Sequence, residues 1–252
     1  MVIFSIILAT LMYVFMIVMN AMANALPLNG IATGAVSFKY PNLFQPSGII
    51  FSIWGVIYIL LLVFLIIQFI SIKNLQNEDA KQLFITINLL FALTSILNGL
   101  WLLAWHYDKM VISTIIMLFL LMTLIFVVKK ISSMPFLSRA AFSVYLGWIT
   151  IATIANITIT FVKIGVPSYR PIAVLMTVVV LLIGLAISLV WIIKEKDYIF
   201  GFVIIWAFLG IFLRHIRQEN LPRLYPMIIS VVAICLVCLL VINSIVLSKS
   251  IK

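Results

Sequence analysis

Eight apolar runs, separated by short stretches of charge or proline, dictate what this chain can become. They cover about residues 2–24, 47–71, 83–106, 109–129, 138–163, 171–193, 198–213 and 224–247. A spanning helix needs about 20 apolar residues to cross a hydrocarbon layer about 30 Å thick. Eight such helices take up roughly 160 residues. That is close to the whole apolar content of a 252-residue chain that is 66% hydrophobic and 9% charged. A water-soluble domain of this balance could not cover its surface with polar groups. In lipid the backbone must satisfy its own hydrogen bonds, and helices do this within each segment. The expected fold is an all-α integral membrane protein with about eight transmembrane helices and the lipid bilayer as its main partner.

The charges fit that picture. The net charge of +10 comes from basic residues scattered singly or in pairs over short connections. Such residues decorate helix ends that meet anionic headgroups, so the excess argues against nucleic acid as a partner. The cations divide almost evenly between the two faces. Their small excess points to the face holding both termini as cytoplasmic. Residues Ala21, Met22 and Ala23 resemble a small-x-small cleavage site, but no Lys or Arg precedes Lys39 as a basic n-region. The segment therefore reads as a retained first helix. Cys235 and Cys238 sit in an apolar run and read as small helix residues rather than a redox or metal pair.

All six acids fall in connections, and no Lys or Arg is expected in a helix interior. Intramembrane charge normally marks ion or proton pathways. Its absence argues against a proton-coupled pump, a cation channel or a metal transporter, and it leaves no paired carboxylates for hydrolysis. His106, beside Tyr107 and Asp108, reads as an interfacial histidine before it reads as a metal or haem ligand, and His215 reads the same way.

What remains inside is neutral, polar and aromatic. The stretch from Gln45 to Tyr58 opens the second span, and Phe51, Trp54 and Tyr58 fall on steps of three and four, which places them on one helical face. Ser52 and Gly55 share a neighbouring strip where another helix backbone could approach. The third span offers Asn88, Ser95, Asn98, Trp101 and Trp105, and the fifth offers Tyr145, Trp148, Ala152, Thr153 and Asn156, again on helical steps. Taken singly, these amides and hydroxyls read first as interhelical hydrogen-bonding groups. Taken together, they reach the same half of the bilayer. Trp54 lies about eight residues, or roughly 12 Å, into its helix. The long first connection, residues 25–46, lies on that side. The expectation is an uncharged aromatic pocket under that connection, suited to a flat apolar or amphipathic ligand.

These residues resemble the TspO/MBR family, the translocator or tryptophan-rich sensory proteins. A family turn opening the second helix reads here as Pro46, Ser47 and Gly48, followed by Trp54 and Tyr58. The third-helix pattern of Asn followed by an aromatic reads as Asn98 and Trp101. The fifth-helix pattern reads as Tyr145, Trp148, Ala152 and Thr153. Leu43 and Phe44 stand where the family usually places a Trp in the first connection. The resemblance covers residues 1–163 and implies a TspO-like five-helix core there, with 164–252 an additional three-helix segment carrying Trp191, Trp206, Asn243 and the basic residues Arg214, Arg217 and Arg223. It implies a bacterial cell-membrane receptor or transport-associated protein, with a porphyrin, haem or sterol-like ligand lined by Trp54, Asn98, Trp148 and Ala152. Lys39 and Lys109 would meet the ligand's carboxylates. It also implies a homodimer as one oligomeric form. The extra helices favour a second reading, a permease-like membrane subunit acting through a protein partner. A third is a light-dependent porphyrin-degrading enzyme.

Overall fold

The computed structural model describes residues 1–26 and 28–251; Pro27 of the first connection and the C-terminal Lys252 lie outside the described residues. Each apolar run forms a helix. In chain order these are α1 (Val2–Asn24), the short α2 (Thr33–Phe38), α3 (Ile53–Ser71), α4 (Glu78–His106), α5 (Met110–Lys130), α6 (Phe136–Lys163), α7 (Pro171–Glu195), α8 (Tyr198–Ile216) and α9 (Pro226–Ile251). All but α2 are long and apolar enough to cross a membrane. Even α8, with 19 residues, reaches about 28 Å at 1.5 Å per residue. No strand occurs among the described residues.

Local chemistry sets the ends of these helices. The Asn77 side chain accepts a hydrogen bond from the Ala80 amide, 2.8 Å, and Glu78 and Asp79 follow in the first turn of α4. An amide cap and early acids both complement the positive helix start. Asp197 caps α8 by accepting from the Phe200 amide at 3.0 Å. Pro171 opens α7 and Pro226 opens α9, where a missing N–H costs nothing.

The chain forms two compact units, residues 1–36 with 54–149 and residues 37–53 with 150–252. In the first unit α4 packs against α1 and α5. Phe64 of α3, Phe91 of α4 and Phe142 of α6 meet edge to face, with ring centroids 4.9–5.8 Å apart. Gly99 allows α1 close to α4, since a Cβ there would lie 2.5 Å from the Phe15 ring. Gln68 and Asn88, both buried, join α3 to α4 through a 3.1 Å bond donated by Asn88.

In the second unit α9 packs against α7 and α8. The segment 37–53 ends in a 3-10 turn, Gly48–Ser52, and lies along α8. The Ser47 amide donates to the Gly210 carbonyl at 3.0 Å. A Cβ on Gly210 would collide with Ile50, so the glycine is what admits the segment.

Two sequence expectations change here. A 3-10 turn rather than an α-helix precedes Ile53; Phe51 falls in the second unit, Trp54 and Tyr58 in the first. The Ser52 and Gly55 strip is exposed, and nothing lies within 4 Å of a Cβ built on Gly55. Close approaches occur instead at Gly99, at Gly210 and at Gly201, which faces Asn243.

Candidate functional site

Trp54 is the hub of the first unit's aromatic cluster. It stacks on Tyr58, one turn along α3, with centroids 5.6 Å apart, and on Trp101 of α4 at 6.0 Å. Tyr145 and Trp148 of α6 meet it edge-on at 6.2 and 6.1 Å. Trp101 continues to Trp105 at 5.8 Å. These offset and edge-to-face arrangements are the ones ring quadrupoles favour. Trp101, Trp105, Tyr145 and Trp148 are buried, while Trp54 and Tyr58 are half-buried. The outer rings of the wall are therefore the two on α3.

A line of buried hydrogen bonds runs beside these rings. Asn20 of α1 donates to the Asn98 side-chain oxygen at 2.8 Å, and Asn98 donates to the Tyr145 hydroxyl at 3.0 Å. Three helices are joined by one amide. Tyr13 adds a bond from its hydroxyl to the Tyr58 carbonyl, 2.9 Å. Ser95 donates to the Phe91 carbonyl of its own helix, 3.0 Å. In the cluster the Tyr58 hydroxyl and the Trp101 indole nitrogen are buried without a hydrogen-bond partner. Such atoms are uncommon in native interiors, and each costs about 1–3 kcal/mol.

The structure thus gathers Trp54, Tyr58, Asn98, Trp101, Trp105, Tyr145 and Trp148 in one unit, with Ser95 one turn from Asn98. Phe51, Ala152 and Asn156 belong to the other unit. Lys39 and Lys109 are exposed, Lys39 in the second unit and Lys109 at the start of α5 in the first. Asn20 and Gln68 are partners that the sequence did not single out. Each is a lone amide in an apolar run, which is the signal that could have found them.

The first connection is held from both units. His106, the last residue of α4, is fully buried. Its Nδ1 lies 3.0 Å from the Leu28 carbonyl and its Nε2 3.0 Å from the Thr33 hydroxyl. A carbonyl only accepts, so Nδ1 carries the proton and Nε2 of the neutral ring accepts from Thr33. Both ring nitrogens are engaged. The Trp105 indole donates to the Thr33 carbonyl at 3.0 Å. Gly30, at φ +78°, supplies the left-handed turn between these anchors.

In the second unit Arg214 lies in the last turn of α8, just past the apolar run expected over 198–213. It is 1% exposed. Its Nη1 donates to the Asn42 and Gln45 carbonyls at 2.7 and 3.0 Å. His215, expected at the interface, is also buried, and its Nε2 lies 2.9 Å from the Leu43 carbonyl. Leu43 and Phe44 are buried there too. Trp206 donates to the Ile50 carbonyl at 3.2 Å, and Trp191 reaches Asp197 at 3.4 Å. Cys235 and Cys238 are free thiols in α9.

Eight long apolar helices and an uncharged aromatic wall define a multi-pass integral membrane protein. A family model described as TSPO-like protein matches residues 6–246, so its match takes in the helices after residue 163 as well as the first five. The chain belongs to this TSPO-like protein family. No curated protein and no solved structure matches it.

Proposed function

We propose that this protein binds a flat apolar or amphipathic ligand, porphyrin- or sterol-like, against the Trp54 wall, and serves the bacterial cell membrane as a receptor or transport-associated protein. The observation that carries the reading is the pair of unpartnered donors, the Tyr58 hydroxyl and the Trp101 indole N–H, on the two rings that stack on the half-buried Trp54. Ring faces supply area for a planar ligand, and the two donors supply direction for a carbonyl or hydroxyl on it. Without ligand, Trp54 fills the space with its own ring. Entry requires that ring to swing aside, and the ligand then replaces its stacking. Lys109, exposed in the same unit as the wall, offers a cation to ligand carboxylates at the membrane surface. Asn98 serves this wall by positioning, since its amide holds the Tyr145 hydroxyl.

Titration of the purified protein in nanodiscs with protoporphyrin and with a sterol, read by tryptophan fluorescence, tests the reading. Saturable binding is expected, with Trp54→Phe and Tyr58→Phe each weakening affinity severalfold. The absence of saturation, or wild-type affinity in Trp54→Phe together with Trp148→Phe, refutes it.

A further inference from the structure

A second group of unsatisfied polar atoms lies in the other unit, around the end of α8, and the aromatic wall does not account for it. Arg214 anchors two carbonyls through Nη1 and the Glu219 carbonyl through Nε at 3.2 Å, yet its Nη2 is buried without a hydrogen-bond partner. His215 uses Nε2 on Leu43, and its Nδ1 has no partner. The Tyr225 hydroxyl is likewise buried and unpartnered, on a residue 4% exposed. These three atoms belong to one cluster. The Tyr225 ring meets the His215 ring edge-on at 6.0 Å and lies under the Arg223 guanidinium at 5.3 Å.

Tyr169 connects this cluster to a surface recess. Its ring stacks on Tyr225 at 6.5 Å. Its phenol interacts with the Arg214 guanidinium, which bears the unpartnered Nη2. Tyr169 also lines an open recess of about 590 Å³ with Gly165, Pro167, Ser168 and Arg170. Burial raises the Tyr169 pKa, and the opposing pull of Arg214 does not cancel it. The phenol therefore keeps its proton at neutral pH and remains a donor. Arg170, exposed at the recess, adds a mobile cation. Glu219 faces Arg217 at 3.7 Å and its charge also reaches Arg214, so one carboxylate stands against Arg170, Arg214, Arg217 and Arg223.

We propose that the recess and the Arg214, Tyr169 and Tyr225 cluster form a binding site for a phosphate oxyanion, carried either by an anionic lipid headgroup or by a free phosphate in water. Guanidinium and phenol donors match tetrahedral phosphate oxygens, and a buried guanidinium edge binds them more strongly than an exposed one. The neutral His215 ring, protonated on Nε2, leaves Nδ1 to accept from a ligand hydroxyl. The recess follows the end of α6, and Arg214 lies in the last turn of α8, so both stand at helix ends where headgroup phosphates lie.

Two arms separate the sources. Thermal unfolding is followed in neutral detergent with and without inorganic phosphate. It is also followed in nanodiscs of phosphatidylcholine alone and of phosphatidylcholine with phosphatidylglycerol. Each arm compares wild type, the double variant Arg170→Gln with Tyr225→Phe, and Lys194→Gln at the far end of α7. A rise in Tm with inorganic phosphate assigns a soluble oxyanion, and a rise only with phosphatidylglycerol assigns the headgroup. In either arm the rise is expected to persist in Lys194→Gln and to fall by at least half in the double variant, with phosphate or lipid affinity roughly tenfold weaker. The Tyr225 hydroxyl has no partner to lose, so Tyr225→Phe alone decides if the double variant fails to fold. No rise in either arm, or equal rises in wild type and variants, overturns the proposal.

Discussion

Replacing Asn98 with leucine removes an amide from the buried line that joins α1, α4 and α6, at nearly constant volume. Two side-chain bonds are lost, from Asn20 at 2.8 Å and to Tyr145 at 3.0 Å. Asn20 keeps a second bond, to the Met16 carbonyl at 2.9 Å, but Tyr145 loses the bond that fixes its hydroxyl. Interhelical side-chain bonds in membranes average about 0.6 kcal/mol and reach about 1.7. Two of them predict a loss of about 1–3 kcal/mol for Asn98→Leu. Tyr145→Phe removes one of the two and is expected to cost about half as much. Because both substitutions break the same bond, their costs must not add. The double variant should resemble Asn98→Leu alone, with a coupling of about 0.6–1.7 kcal/mol. Reversible unfolding by a denaturing detergent in mixed micelles measures all three. Ser95→Ala is the control, since its hydroxyl bonds only its own helix, and it should stay within about 0.5 kcal/mol of wild type. Additive costs for Asn98→Leu and Tyr145→Phe, or a Ser95→Ala cost as large as that of Asn98→Leu, would refute the relay.

Three further outcomes follow from the packing. Gly99→Ala places a methyl against the Phe15 ring and should cost about 1–3 kcal/mol of stability in the same assay; Phe15→Ala in that background should recover part of it. Arg214→Met strips the Asn42 and Gln45 carbonyls of their donor, and Arg214→Lys cannot restore the fork. Both should speed tryptic cleavage after the exposed Lys39, by tenfold or more for Arg214→Met, measured by limited proteolysis in detergent. Tyr169 titrates above its ordinary value because it is partly buried. A raised folded-state pKa favours the protonated fold, so its contribution is complete below about pH 10 and is lost as pH rises towards the folded value. Tyr169→Phe should flatten the alkaline limb of the stability profile relative to wild type.

Much of this architecture could be read from the sequence because membrane helices satisfy their own backbones. Apolar length alone placed all eight long helices, and helical steps joined Trp54 to Tyr58 and Asn98 to Trp101 and Trp105. Contacts within one turn or on one face are local facts. The misreadings are long-range. Arg214 closes a helix, where a lone arginine ordinarily snorkels into headgroups. Its partners are carbonyls of residues 42 and 45, far back in the chain, and backbone carbonyls leave no mark in a sequence. The carbonyls that His106 and His215 meet in the first connection are hidden from the sequence for the same reason. An α-helix from the first apolar residue was expected at the second span, whereas a 3-10 turn, Gly48–Ser52, comes first. Ser52 and Gly55 had the composition of a close contact, but only the tertiary fold could show that it forms at Gly99 and Gly210 instead.

The claim that Trp54 forms a ligand-bearing wall is tested most directly by photocrosslinking. A photoreactive sterol or porphyrin analogue is bound to the protein in nanodiscs, with and without excess unlabelled ligand, and the modified residues are mapped by mass spectrometry. The account predicts competed labelling at Trp54 and Tyr58, at Asn98 to Trp105, and at Tyr145 to Trp148. Labelling confined to the exposed outer faces of α5, α7 and α9, or labelling that excess ligand does not reduce, would contradict it.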